Sequence, residues 1–104
     1  MAVEVKWTTQ SLEDIANIAE FIAQDSERYA QIQTERFFDR TVVLETFPHS
    51  GRIVPEISSG DIRELMEGNY RIIYRIVDSS RIDILTVHHS HQLLSNNPTF
   101  KKGN

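Results

Sequence analysis

Ile62-Arg63-Glu64-Leu65-Met66-Glu67-Gly68-Asn69-Tyr70-Arg71-Ile72-Ile73-Tyr74-Arg75-Ile76-Val77-Asp78-Ser79-Ser80-Arg81-Ile82-Asp83-Ile84-Leu85-Thr86-Val87-His88-His89 sets the architecture of the chain. It holds three runs rich in β-branched and aromatic residues, parted by Glu67-Gly68-Asn69 and Asp78-Ser79-Ser80. Such residues pack well on a pleated surface, and Gly, Asn, Asp and Ser supply tight turns. The pattern predicts strands over about 62–67, 70–77 and 81–89, joined by two hairpins. In the middle run Ile72, Tyr74 and Ile76 share one face, and Arg71, Ile73, Arg75 and Val77 share the other. Apolar groups on both faces predict a central strand.

Upstream, Pro48-His49-Ser50-Gly51-Arg52 is turn chemistry, and residues 53–61 read as irregular around Pro55 and Ser58-Ser59-Gly60. Before that turn, Leu12, Ile15, Ala16, Ala19, Ile22 and Ala23 recur at helical spacing behind Thr8 or Thr9 as a cap, predicting a helix over about 9–25. Ser26 caps a second helix, marked by Tyr29, Ile32, Arg36, Phe37, Leu44 and Phe47, which Pro48 stops. The short link between them predicts an antiparallel helical hairpin. Val3-Glu4-Val5-Lys6-Trp7 alternates as a strand does. The predicted order is β-α-α-β-β-β. This is an α+β domain with the N-terminal strand and helical hairpin packed on a small antiparallel sheet. One domain over 1–94 is expected, followed by a polar tail over 95–104 that is loose beyond anchors at Leu93 and Leu94.

Composition bounds the chemistry. The 104 residues suffice for one domain with a modest core, and there is no cysteine, which excludes disulfides, thiolate nucleophiles and cysteine-ligated zinc. No apolar run approaches the roughly 20 residues that span a bilayer, and Glu4 interrupts any signal-peptide core, so a cytoplasmic protein without a membrane is expected. The net charge of −4 argues against a protein living on phosphate contacts. The balance is uneven: residues 1–50 hold nine acids and four bases, and residues 51–104 six acids and seven bases. An anionic partner should therefore meet the second half.

The words Trp7-Thr8, Leu12-Glu13-Asp14-Ile15 and Phe47-Pro48-His49-Ser50-Gly51-Arg52 stand in a fixed order with Ile62-Arg63-Glu64-Leu65, Gly68-Asn69-Tyr70-Arg71-Ile72-Ile73-Tyr74-Arg75 and Ile82-Asp83-Ile84-Leu85-Thr86-Val87-His88-His89. In that order and spacing, over about residues 4–94, the chain resembles the RelE/ParE toxins of type II toxin–antitoxin systems. It is more similar to the ParE branch, also called plasmid stabilisation proteins, than to the mRNA-cleaving RelE branch. The resemblance implies a bacterial toxin neutralised by a cognate antitoxin, in toxin–antitoxin hetero-oligomers. It also implies, for the ParE branch, inhibition of DNA gyrase by binding, without enzymatic activity or a cofactor. The alternatives are a ribosome-dependent mRNA endoribonuclease of RelE type, with ribosome and mRNA as partners, and a degenerate member that binds antitoxin without poisoning anything.

Cleavage at a 2′-hydroxyl needs a base, cations on the phosphate and an acid for the leaving oxygen. Arg52, Arg71, His89 and His91 are the candidates for a ribonuclease. RNA-cleaving relatives place a Tyr or a His-Tyr pair near the end of the last strand. Here the stretch reads His89-Ser90-His91-Gln92, and Gln92 also stands where ParE-like members often carry Arg. For a binding protein, the expected target- or antitoxin-contacting residues are Arg52, Arg63, Arg71, Tyr74, Arg75, His88 and His89. The structural reading competes: sheet arginines often pair with helix acids, and Trp7 and Tyr74 suit packing. Two histidines on one strand face, without cysteine or a third ligand, do not make a zinc site, so no metal is expected.

Overall fold

In a computed structural model describing residues 2–100, two helices pack on one face of a five-stranded sheet. The elements are β1 (Glu4–Trp7), α1 (Thr9–Ala23), α2 (Glu27–Arg40), β2 (Arg52–Ile53), β3 (Ile62–Glu67), β4 (Tyr70–Asp78) and β5 (Arg81–His89), with 3-10 turns at Val42–Glu45 and Leu94–Asn96. The sheet order is β1-β5-β4-β3-β2, so β4 is central, as its two apolar faces predict. Strands β2 to β5 are antiparallel neighbours, while β1 lies parallel to β5 at one edge. The sheet is therefore mixed: β1, β3 and β5 run one way, and β2 and β4 the other.

Local chemistry explains the boundaries. Thr8 Oγ1 accepts the Ser11 N–H and caps α1, and Ser26 Oγ does the same for Tyr29 and α2. Gly68, at φ +57°, turns the β3–β4 hairpin in a conformation that L side chains rarely adopt. The second helix ends at Arg40, not at the Pro48 expected to stop it. Thr41-Val42-Val43 is stiff at χ1 and helix-poor, Thr41 Oγ1 bonds back to Phe38 O, and the chain tightens into the 3-10 turn. Within 53–61, expected to be irregular, Ile53 extends the turn residue Arg52 into the short strand β2 against β3.

The main core lies between helices and sheet, around Ile15, Phe37, Leu44, Leu65, Ile72, Tyr74 and Ile84. The other sheet face is not bare. Val54, Ile73 and Leu94 form a second cluster there, with Phe100 packed against it. Leu94 thus anchors the segment after β5 as expected, but Leu93 is exposed. Far from hanging loose, the segment is pinned as far as Phe100, and residues 101–104 lie outside the described ones. Among the described residues, no helix is long and apolar enough to cross a membrane.

Candidate functional site

The open sheet face carries the arginines. Glu64 on β3 points there, and its side chain is fully buried. Two guanidiniums converge on it: Arg71 of β4 donates from Nε to Oε1, and Arg52 of β2 from Nε to Oε2. Arg71 also grips Glu56 in the preceding loop through two bonds of 2.8 Å, one from each terminal nitrogen. A bidentate pair of this kind is geometrically specific. The bonds from Arg71 hold the Glu56 carboxyl down at about 2, and Glu56 in turn raises Arg71 further above the usual guanidinium range. Two cations and two carboxylates balance in this cluster.

A second network closes the far end of β5. Asp14 of α1 accepts from the Thr86 hydroxyl, the Val87 N–H at 3.1 Å and the Gln10 amide at 2.9 Å. The buried Asn97 donates from Nδ2 to Thr86 Oγ1 at 2.9 Å, and its Nδ2 stands 3.0 Å from His88 Nδ1. The Thr99 N–H donates to Asn97 Oδ1, which fixes the orientation of the amide. Nδ2 is therefore the donor toward His88, and His88 must accept at Nδ1 and donate from Nε2 to Gln92 O, 2.9 Å away. An unbroken run of hydrogen bonds thus ties α1, β5 and the segment after it.

Beside this network lies a cleft of about 650 Å³. One wall is the α1 face carrying Asn17, Ile18 and Phe21, and the other carries Tyr70, His89 and His91. Tyr70 and His89 meet edge to face at 5.4 Å, and His89 and His91 lie 5.3 Å apart. Burial pushes the Tyr70 hydroxyl up, so the phenol stays neutral. Among the described residues no group of three or more His, Asp or Glu side chains is placed to hold a metal ion.

With the fold and these clusters in view, comparison with known proteins is decisive at the level of family. A family model described as the ParE toxin of the type II toxin–antitoxin system, parDE, matches residues 5–94. The chain belongs to the ParE toxin family. A chain from a chromosomal ParDE toxin–antitoxin system of P. aeruginosa superposes with a TM-score of 0.69 at 16% identity, over 85% of this chain and 96% of that one. A chain from the toxin–antitoxin complex RelBE2 of Mycobacterium tuberculosis gives 0.57 at 23% identity, over 86% and 99%. At those identities the two structures are alike in fold. The comparison with curated proteins returned no match.

For a ParE-family chain, the placement of the expected site residues is uneven. Arg52 and Arg71 share one carboxylate, but with sheet and loop acids as partners, not the helix acids expected. Arg63 serves the fold, donating to the Gly60, His49 and Gly51 carbonyls. Tyr74, expected among contacting residues, is fully buried: its hydroxyl donates to Pro48 O at 2.7 Å and accepts the Gly51 N–H at 3.0 Å. Any side chain at Gly51 would meet Glu64 O at 2.6 Å and Tyr74 Oη at 2.7 Å, so the turn requires glycine. His88 is likewise buried and internally bonded. Arg75 and His91 are exposed, and His89 is half-buried at the cleft, far along the strand from Arg75. Reading the sequence missed Glu56 and Glu64, Asn97, and the α1 residues Asn17 and Phe21. The acids carried a usable signal, since Glu64 alternates onto the arginine face of the sheet.

Proposed function

We propose that this chain is the toxin of a type II pair, held inactive by a cognate antitoxin, and that it acts by binding DNA gyrase in the bacterial cytoplasm. The observation that carries the choice of binding over RNA cleavage is that both arginines of the ribonuclease inventory are already committed to carboxylates. Arg71 is tied to Glu56 and Glu64, and Arg52 is tied to Glu64. His88 accepts from Asn97 and donates to Gln92 O, so it has no lone pair free for a substrate proton. A nuclease needs cations and a base free to meet the scissile phosphate. Here the cations at the centre of the open face are neutralised by carboxylates, which repel that phosphate. A binding protein needs no free base, and the exposed Arg75, the accessible side of Arg52 and the half-buried His89 serve as contacts.

Supercoiling by purified gyrase, measured with this chain alone and with its antitoxin, tests the reading. Inhibition by the free chain and relief by the antitoxin are expected, and RNA from cells expressing the chain should keep its normal ends. Codon-positioned cuts with unaffected supercoiling would instead establish the RelE-type activity. Antitoxin binding without either effect would mark a chain that poisons nothing.

A further inference from the structure

The cleft between α1 and the end of β5 has its own chemistry, separate from the arginine cluster. Phe21, one of the most exposed large apolar side chains at 69%, stands on its α1 wall, one helical turn beyond Asn17. Tyr70, His89 and His91 line the opposite wall as rings in mutual contact. Among the described residues no lysine or arginine lines the space. The one carboxylate there, Asp14, is saturated by Gln10, Thr86 and Val87. Among the described residues, the side-chain amides of Asn17 and Asn96, which line the same cleft, have no hydrogen-bond partner. His89 accepts the His91 N–H at Nδ1, which leaves its Nε2–H as a donor.

A space between ring walls, with open amides and one free N–H at its rim, selects its occupant. Among the described lining residues phosphate and carboxylate meet no lysine or arginine and face the Asp14 carboxylate, and an aliphatic side chain leaves the amides unused. A flat ring with a single hydrogen-bonding edge satisfies both the stacking surfaces and an amide oxygen. We propose that this cleft is an anchor site for an aromatic side chain of a protein partner, a Trp indole whose N–H is received by the Asn17 or Asn96 amide. The inference deepens the proposed function by naming what a partner inserts here, and for the protein nature of that partner it rests on that reading. Aromatic anchors buried in pockets commonly dominate the energetics of protein interfaces.

The test uses N-acetyl-L-tryptophanamide as probe, titrated into the full chain labelled with ¹⁵N, with neither antitoxin nor gyrase present. A failure of the cleft is therefore distinguishable from a failure of the toxin reading. Saturable shifts should concentrate on the amides of Asn17, Phe21, His89, His91 and Asn96. Phe21→Ala, a change at an exposed position, should weaken the probe by roughly three- to tenfold, as loss of one ring contact does, with the rest of the spectrum unchanged. Asn17→Ala combined with Asn96→Ala should weaken it without altering the ring-face shifts. Absent or scattered shifts would overturn the proposal. So would equal binding of N-acetyl-L-leucinamide, which lacks the ring, or tighter binding of adenosine, which would make the cleft a nucleobase site.

Discussion

Removing Arg71 separates a structural arginine from a functional one. Its side chain is 8% exposed, and it holds the fully buried Glu64 together with Glu56. In Arg71→Ala, Glu56 returns to solvent at little cost, because it is already 47% exposed. Glu64 stays buried with Arg52 as its remaining cation, and the Arg52 side chain is 64% exposed and screened. Stranding one partner of a buried pair costs about 3–5 kcal/mol. Retention of Arg52 puts the expected loss at the lower end, about 3 kcal/mol. A domain of this size has roughly 5–15 kcal/mol in all, and melting falls by about 4–8 °C per kcal/mol. The variant should therefore melt roughly 12–24 °C lower, read by circular dichroism and checked by urea unfolding at pH 7. Arg71→Met combined with Glu64→Leu removes both charges and should recover most of the loss, since apolar replacements of buried pairs are commonly tolerated. A loss below about 1 kcal/mol in Arg71→Ala would refute the reasoning: the guanidinium would then be free to serve a ligand.

The remaining expectations concern the rim, acid and the C-terminal segment. Arg75→Ala should leave the melting point nearly unchanged, within about 0.5 kcal/mol, while weakening toxicity in part; His91→Ala, which removes one ring of the cleft wall, should likewise leave melting unchanged and lower toxicity only in part, and a folded His91→Ala chain without any toxicity would favour the ribonuclease. Glu56 falls from an ordinary value of 4.5 to about 2 in the folded chain, so its contribution is complete above pH 4.5 and is lost as pH drops toward 2. At its half-exposed position screening trims this to roughly 1 kcal/mol, and Glu56→Gln should flatten the acid limb of the stability curve by that amount. Asn97→Ala leaves Thr86 and His88 without their buried donor, costing about 1–3 kcal/mol; amide exchange over residues 93–100 should quicken well before that of β4, and uniform acceleration would show the segment to be part of one cooperative unit.

The meander β3–β5 was legible because each strand and turn is specified within a few residues. Alternation, Gly68-Asn69 and Asp78-Ser79-Ser80 all act locally. The parallel partnership of β1 with β5 was not, since no residue in Val3–Trp7 encodes which distant strand it will meet. The end of α2 was readable in Thr41-Val42-Val43, but the apolar spacing of Leu44 and Phe47 masked it: Leu44 reaches the core from a 3-10 turn, and Phe47 stands exposed after it. For the site, the sequence revealed which face the arginines occupy. It could not reveal that Glu56, in a loop, comes back over Arg71. Asn97 was obscured because a polar residue in a polar stretch reads as solvent-facing, and only the donor-starved pair Thr86 and His88 makes its burial favourable.

The parallel edge has a consequence in time. Thr8, at the end of β1, bonds the backbone of Ile84, 76 positions away. At synthesis rates of about 5–20 residues per second, a ribosome needs on the order of 4–15 s to cover that distance. Throughout that interval the helical hairpin exists without the complete sheet that gives it a floor, and a two-helix element with exposed apolar flanks is marginal in water. The local β3–β4–β5 hairpins can close within microseconds of emerging. Docking of β1 must wait for β5 and carries the loop-closure entropy of most of the chain. The nascent chain should thus stay protease-sensitive until its last strand clears the tunnel. A partner that binds the finished sheet meets no competent surface before then.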